Sequence, residues 1–264
     1  LLELEFAQHT DAGKVRGHNE DFLGVAAPSA DERDRRWLFA LADGVGGQDR
    51  GEVASRAAVD HLLSGFRRLD AADSLSSHLP RLIQAANTHV FETATGVGPG
   101  GSSMATTIVA CALRFDRAVV CHAGDSRCYL IRQGQTRQLT RDHTVASEQA
   151  FLGLITAREA VDSGSSNLLS RSLGTEMFVS VETNEYLIQK DDVLLLCSDG
   201  LHNSVKELDI VRALERAATL ESAAHELVFL AKERDGGDNI SVQLIRIKNV
   251  ERVGMYRGQP YRLP

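Results

Sequence analysis

Two apolar runs in this sequence end in the same way. "LFALADGVGGQ" (38–48) falls into Asp43 and Gly44, and "VLLLCSDGL" (193–201) falls into Asp199 and Gly200. Desolvating an ionised carboxylate at the mouth of a buried strand costs on the order of several kcal/mol unless a partner compensates. Further acids stand in similar places: Asp125 after "VVCHAG", Asp238 in "DGGDN" before the run "NISVQLIRI", and the pair Glu20 and Asp21 in "RGHNEDF". A single Asp-Gly after a strand is ordinarily just a turn. The set is more telling, because strand ends of packed sheets can converge on one cleft, where uncompensated carboxylates raise one another's pKa values and destabilise the fold.

A hard divalent cation removes that conflict, since Mg2+ and Mn2+ prefer carboxylate, backbone carbonyl and water oxygens. A glycine behind the aspartate, Gly44 or Gly200, would let the backbone turn sharply and bring a carbonyl oxygen close to a metal. The absence of a histidine pair at metal spacing, or of any cysteine cluster, argues against zinc. Two ions bridged by one aspartate form a hydrolytic arrangement that clamps a phosphoryl group and lowers the pKa of a shared water. Arg16, four residues before Glu20, carries a planar fork suited to phosphate; alone, an arginine among acids is a surface ion pair worth at most about 1 kcal/mol.

The elements that must hold these residues follow from periodicity. Strand-like runs cover 4–9, 37–42, 104–113, 118–123, 128–132, 179–187, 193–197 and 240–247. Helical patterns cover 52–69, 75–95, roughly 144–163 with a break at Gly153, 205–219 and 221–234. Several strands adjoin without a crossover helix, as in "RAVVCHAGDSRCYLIRQGQTRQLT", where "DSR" and "RQGQ" look like reversals of a meander. Antiparallel sheets with helix pairs packed outside them, an α/β layered sandwich, are therefore expected, and a doubly wound parallel fold is disfavoured. "ATGVGPGGSS" (94–103) reads as a glycine-rich turn, and "ERVGMYRGQPYRLP" as a tail or the start of a linker.

Composition narrows the function classes. The 264 residues are 43% apolar and 25% charged, an ordinary globular balance with ample length for a core. A net charge of −7, with basic residues interleaved with acids as in "DERDRR", argues against nucleic acid. No apolar run approaches the ~18 residues of a membrane helix, and no signal peptide is visible, so a cytoplasmic setting is expected. Cys111, Cys121, Cys128 and Cys197 lie in strand-like runs and read as buried thiols. The start at Leu1 leads us to expect a trimmed or processed terminus, with room for flanking domains.

In order, "RGHNEDF", "LADGVGGQDRGEVAS", "GSSMATTIVA", "HAGDSRCYLIR", "LTRDHT", "NLLSRSLGTE", "LCSDGL" and "GGDNISV" resemble the motifs of metal-dependent serine/threonine protein phosphatases of the 2C type, in their compact bacterial form. The resemblance spans about residues 4–247. It implies an α+β fold, a four-layer α-β-β-α sandwich of two antiparallel sheets flanked by helix pairs, with a phosphatase domain over 1–248 and a tail over 249–264. By the same resemblance Asp43 bridges two Mn2+ or Mg2+ ions, Asp199 and Asp238 complete one shell, and the Gly44 carbonyl serves the other. Glu20 and Asp21 bind or orient that second ion, Asp125 helps hold a weaker third, Arg16 takes the substrate phosphate, and Asn239 fixes the Asp238 carboxylate. The stretch "VASEQAFLGLITAREAVDSGSS" after Asp142 and His143 corresponds to the family's flap beside the cleft.

Two departures are visible. Val45 and Gln48 stand where some relatives carry a histidine, and neither can protonate a leaving alkoxide. His18, His122, His143 and His202 lie near motifs and are read as hydrogen-bonded structural residues, which leaves protonation to a metal-bound water. Asn203 stands where many relatives place a further acid, so a neutral oxygen weakens the third site.

The expectation is hydrolysis of phosphoserine and phosphothreonine on proteins by a metal-bridging hydroxide, with no phosphoenzyme and no cysteine nucleophile. The expected partners are phosphoproteins and a cognate Ser/Thr kinase, with no nucleic acid and no membrane, and the chain itself is expected to be a monomer. The rivals are a phosphoprotein-binding module without turnover, against which the full acidic set speaks, and an enzyme of this fold acting on a small phosphoester.

Overall fold

The computed structural model describes residues 2–28, 36–45, 50–70, 72–95, 104–256 and 259–262. Gln48 and most of the glycine-rich stretch 94–103 lie outside them. In chain order the elements are β1 (Glu3–Asp11), β2 (Asp21–Ala26), β3 (Trp37–Val45), α1 (Arg50–Arg67), α2 (Leu75–Thr95), β4 (Ala105–Thr106), β5 (Ile108–Arg114), β6 (Arg117–Ala123), β7 (Arg127–Arg132) and β8 (Gln135–Gln138). There follow α3 (Val145–Phe151), α4 (Ala157–Val161), β9 (Glu182–Leu187), β10 (Val193–Cys197), α5 (Asp199–His202), α6 (Glu207–Arg216), α7 (Leu220–Arg234), β11 (Ile240–Asn249), β12 (Val253–Tyr256) and β13 (Gln259–Arg262).

One sheet runs β1-β11-β10-β7-β8, the other β2-β3-β5-β6-β9 with β4 appended to β3. Every pairing is antiparallel. Because side chains alternate across a strand, each central strand feeds two cores. Leu38, Ala40 and Ala42 of β3 pack with Leu62, Leu79 and Ile83 of the first helix pair, α1 and α2. Phe39 and Leu41 of the same strand instead meet Leu194, Leu196, Ile245 and Ile247 between the sheets. The outer faces of β10 and β11, Val193, Leu195, Val242 and Leu244, pack with Ile210, Leu227 and Val228 of α6 and α7. Three apolar cores thus separate four layers, as expected, and burying each large aliphatic side chain is worth about 1.5–3 kcal/mol.

Two local expectations are corrected. The "GDSR" stretch does not close a hairpin: β6 pairs with β5 and β9, whereas β7 pairs with β10 and β8, so the chain passes here from one sheet to the other. Gly124 makes that crossing at φ +116°, where a Cβ would collide with the Thr107 side chain. The helical pattern 144–163 breaks at Gly153, φ +71°, as expected, into α3 and α4, and a capping box between Thr156 and Glu159 starts the second piece. The tail 251–264 is not all loop, since β12 pairs with β13. Among the described residues no helix is long and apolar enough to cross a membrane.

Candidate metal centre

The alternation that builds the core between the sheets also builds the site. Followed toward one end, the face that carries Phe39 and Leu41 on β3 next presents Asp43, and Val25 and Leu23 on β2 are followed by Asp21, directly opposite it in register. On the facing sheet, Leu194 and Leu196 of β10 give way to Ser198, and Ile247 and Ile245 of β11 to Gln243 and Ser241. At one end of the sandwich, then, the apolar core turns polar on both sheets at once. Ser198 Oγ donates across the gap to Asp21 Oδ2 at 2.8 Å, and Gln243 Nε2 donates to the Gly24 carbonyl at 3.2 Å. On β3 the Asp43 backbone is pinned by Thr107, whose Oγ1 accepts from Asp43 N at 3.0 Å and whose N–H donates to Asp43 O at 2.8 Å.

The remaining acids arrive on turns. Asp199 opens α5 directly after β10 and Ser198. Asn239 braces the other loops: its N–H donates to Asp238 Oδ1 at 2.8 Å, its Oδ1 accepts from Glu20 N at 2.8 Å, and its Nδ2 donates to the Ala12 and His18 carbonyls at 3.0 Å each. The two Asp-Gly glycines serve close approach, where the sequence suggested a sharp turn. A Cβ on Gly44 would strike the backbone of Gly51 at the start of α1, and one on Gly200 would strike the Asn239 carbonyl. Ser55 Oγ of α1 donates to the Glu20 carbonyl at 2.6 Å, which ties that helix to the same corner.

Electrostatically the cluster is over-supplied with negative charge. Burial, then the neighbouring Asp21, Asp199, Asp125 and Asp238, push Asp43 well above the usual carboxylate range. Burial first, with Asp199 and Asp238 adding to it, raises Asp21 to about 7. Asp199 rises to about 6 through burial and Asp238, and Asp125 to about 7 through burial and Asp199. Arg16 is the cation drawn into the cluster: its Nη2 donates to Asp238 Oδ2 at 2.8 Å, and Asp238 holds the guanidinium pKa up. Among the described residues, two buried carboxylate oxygens, Asp21 Oδ1 and Asp199 Oδ1, have no hydrogen-bond partner. Orphaned anionic oxygens among mutually repelling carboxylates are what a hard dication would satisfy, so these residues fit Mg2+ or Mn2+.

The structure brings Asp21, Asp43, Asp125, Asp199 and Asp238 into one field and sets Glu20 and Gly44 against each other, Gly44 N donating to Glu20 O at 3.1 Å. Asn203 reaches Asp199 Oδ2 through its Nδ2 at 3.3 Å. Residues that sequence reasoning passed over are Ser198, Ser241 and Thr107; the period-2 pattern that extends each apolar face by one polar residue was the available signal. Also unforeseen is the pairing beneath Asp125, where Arg127 grips Asp142 with bonds of 2.8 and 2.6 Å. Against burial, this pairing keeps Asp142 low and Arg127 high.

His122, His143 and Glu182 place their ligand-type atoms within 4.8 Å of one another, a grouping hidden in sequence by the separation of its members. Its hydrogen bonds are otherwise engaged. His122 Nε2 meets the Arg141 carbonyl at 2.8 Å, His143 Nε2 meets Glu182 at 3.3 Å, and Arg171 and Arg141 crowd the same groups. The two rings stack 4.4 Å apart. Burial, then His122 and Arg171, lower His143 to about 4, so it is neutral and structural at neutral pH.

The serine/threonine phosphatase stp of Listeria innocua serovar 6a is 36% identical over 261 residues, 98% of this chain and 99% of that protein. The S. agalactiae serine/threonine phosphatase superposes with a TM-score of 0.84 at 30% identity, covering 93% of this chain and 100% of the other. The catalytic domain of the serine/threonine protein phosphatase PstP, in complex with 2 manganese ions, superposes with a TM-score of 0.77 at 32% identity over 94% of this chain and 100% of that domain. With the protein phosphatase 2C family model matching residues 11–231, this chain belongs to the protein phosphatase 2C family.

Proposed function

We propose that this chain hydrolyses phosphoserine and phosphothreonine on proteins in a reaction that depends on Mn2+ or Mg2+. The observation that carries the reading is the pair of orphaned buried oxygens on Asp21 and Asp199 within a set of carboxylates that raise one another's pKa values. Asp43, central among them, would bridge two cations, with Asp199 and Asp238 completing one shell and the Gly44 carbonyl, Glu20 and Asp21 serving the other. Asp125 would hold a weaker third cation, to which Asn203 offers only a neutral oxygen. When bound, the cations supply charge for the phosphoryl oxygens and make a nearby water acidic enough to yield the nucleophile.

The chain's own groups orient the reaction. Arg16, half exposed and already in the acidic field, exchanges Asp238 for the phosphate of the substrate and fixes its rotation through a bidentate fork. Asn239 and Ser198 hold Asp238 and Asp21 in position. The catalytic unit is taken as residues 1–248 with 249–264 as a tail, and the setting as a cytoplasmic monomer acting against a Ser/Thr kinase.

Phosphate release from phospho-Ser, phospho-Thr and phospho-Tyr peptides across a metal titration tests this. Release that needs Mn2+ or Mg2+ and favours the first two supports it. Tight phosphopeptide binding without release at any metal concentration would favour the binding module instead.

A further inference from the structure

The hydrogen bonds around Asp21 close into a ring. Asp21 N donates to Asn19 Oδ1 at 3.1 Å, and Asn19 Nδ2 donates to Thr10 Oγ1 at 2.7 Å. Thr10 stands opposite Ser241 in the β1–β11 register, and their hydroxyl oxygens lie 2.7 Å apart. Burial raises the pKa of the Asp21 carboxyl, and hydrogen bonds from the Ser241 and Ser198 hydroxyls oppose that rise. The ring thus runs from β2 through the loop before it to β1, across to β11, and back to β2. Ser198 adds a shorter arm, since its Oγ accepts from Ser241 N at 3.0 Å and donates to Asp21 Oδ2 at 2.8 Å.

Counting protons gives the ring a direction. Only an oxygen can receive the Asp21 amide proton, so the amide nitrogen of Asn19 is the end that faces Thr10. A hydroxyl carries one proton and a carboxylate only accepts. The Ser241 proton is therefore committed to Asp21, and the short contact between the hydroxyls is filled by the proton of Thr10. Every donor points the same way around, from Asn19 through Thr10 and Ser241 to the carboxylate, and bonds arranged in series like this polarise and strengthen one another. Asp21, Ser198 and Ser241 are buried, so water does not compete at that end of the series. Among the described residues, Asp21 Oδ1 is left buried and without a hydrogen-bond partner.

We propose that Asn19, Thr10 and Ser241 are positioning residues that set the rotation of the Asp21 carboxylate, so that Oδ1 is the oxygen offered to a cation. The proposal rests on the metal-dependent reading and deepens it. All three act through Asp21, and Thr10 does so from an exposed place on β1.

Calorimetric titration of the whole chain with Mn2+ tests this. Thr10→Val keeps the β-branched shape and removes the hydroxyl, and it is expected to weaken Mn2+ binding about tenfold, the lower end of what losing an outer hydrogen-bond partner costs. Thr10→Ser restores the hydroxyl and should bring the affinity back to within about twofold of the native value, a recovery that a mere packing role would not give. Asn19→Ala is expected to weaken binding as well. The double variant Thr10→Val with Asn19→Ala should stay within about twofold of the weaker single variant, because both changes open one ring. Native affinity in Thr10→Val, equal losses in Thr10→Val and Thr10→Ser, or a double variant whose losses multiply overturns the ring. A native protein that binds Mn2+ yet frees no phosphate from any phosphoester sinks the hydrolytic reading and leaves these affinities to decide this one. A native protein that binds no Mn2+ overturns both.

Discussion

Asp21 stands directly opposite Asp43 across the β2–β3 ladder, both on the face turned toward the other sheet. Like charges in register on neighbouring strands oppose folding, and here they do so under burial. A dication held by these carboxylates would offset that cost. Asp43→Asn is therefore expected to weaken Mn2+ binding by more than about 100-fold, beyond what losing an outer hydrogen-bond partner costs. In chelator the same variant should melt about 2–4 °C above the native protein, because relief of repulsion on the order of 1 kcal/mol shifts a domain of this size by that much. Calorimetric titration and thermal melts decide it; native-like metal affinity in Asp43→Asn would remove Asp43 from the site.

The raised carboxyls also set a pH dependence for the metal-free protein. Asp21 and Asp125 at about 7 and Asp199 at about 6 bind protons more tightly folded than unfolded. Their contribution to stability is complete below about pH 4 and is lost as pH rises through about 6 to 7. Melting temperatures in chelator should accordingly fall between about pH 5 and pH 8, and saturating Mn2+ should raise the melting temperature more at the upper value. An equal Mn2+ effect at both would contradict the shared acidic field.

Arg16 bonds Asp238 in this structure and would turn to phosphate on catalysis. Arg16→Ala is expected to lower kcat/KM for phosphopeptides about tenfold, chiefly through KM, and Arg16→Lys to recover only part of it, since an ammonium lacks the fork. Steady-state kinetics at saturating metal will show the split. A fall in metal affinity with KM unchanged would instead make Arg16 a counter-ion.

Gly200 allows α5 to lie against the carbonyl of Asn239, the residue that braces Asp238 and Glu20. Gly200→Ala is expected to destabilise the fold by about 2–3 kcal/mol through overpacking against backbone. The separation between Asp199 and Asp238 would widen as well. Urea unfolding measures the first effect and Mn2+ titration the second; a variant with native values in both would mean the contact is slack.

Much of the site was legible because of contrast. Asp43 and Asp199 end apolar runs and precede glycine, so their chemistry stands out against their neighbours. Asp21 was visible only as half of a pair, because β2 is short and carries Gly24 in its middle, which obscures its alternation. Ser198 and Thr107 look like ordinary strand-end residues until both sheets are superposed. The β6–β7 crossing is hidden in the sequence for a related reason: local turn residues specify a change of direction, whereas the choice of sheet depends on edges formed by strands far away in sequence. The same non-locality hid His122 beside His143 and Arg127 on Asp142.

Strand β11 lies between β1 and β10, so the first strand of the chain has to wait for the last long one before it gains its neighbour. During synthesis, Asp43 and Asp199 emerge from the ribosome well before Asp238 and its bracing asparagine. A nascent or prematurely terminated product ending before Asp238 would thus carry the other acids yet have no assembled cradle for an ion. Closure of the acidic cradle in this architecture therefore waits on the strand that joins β1 to β10.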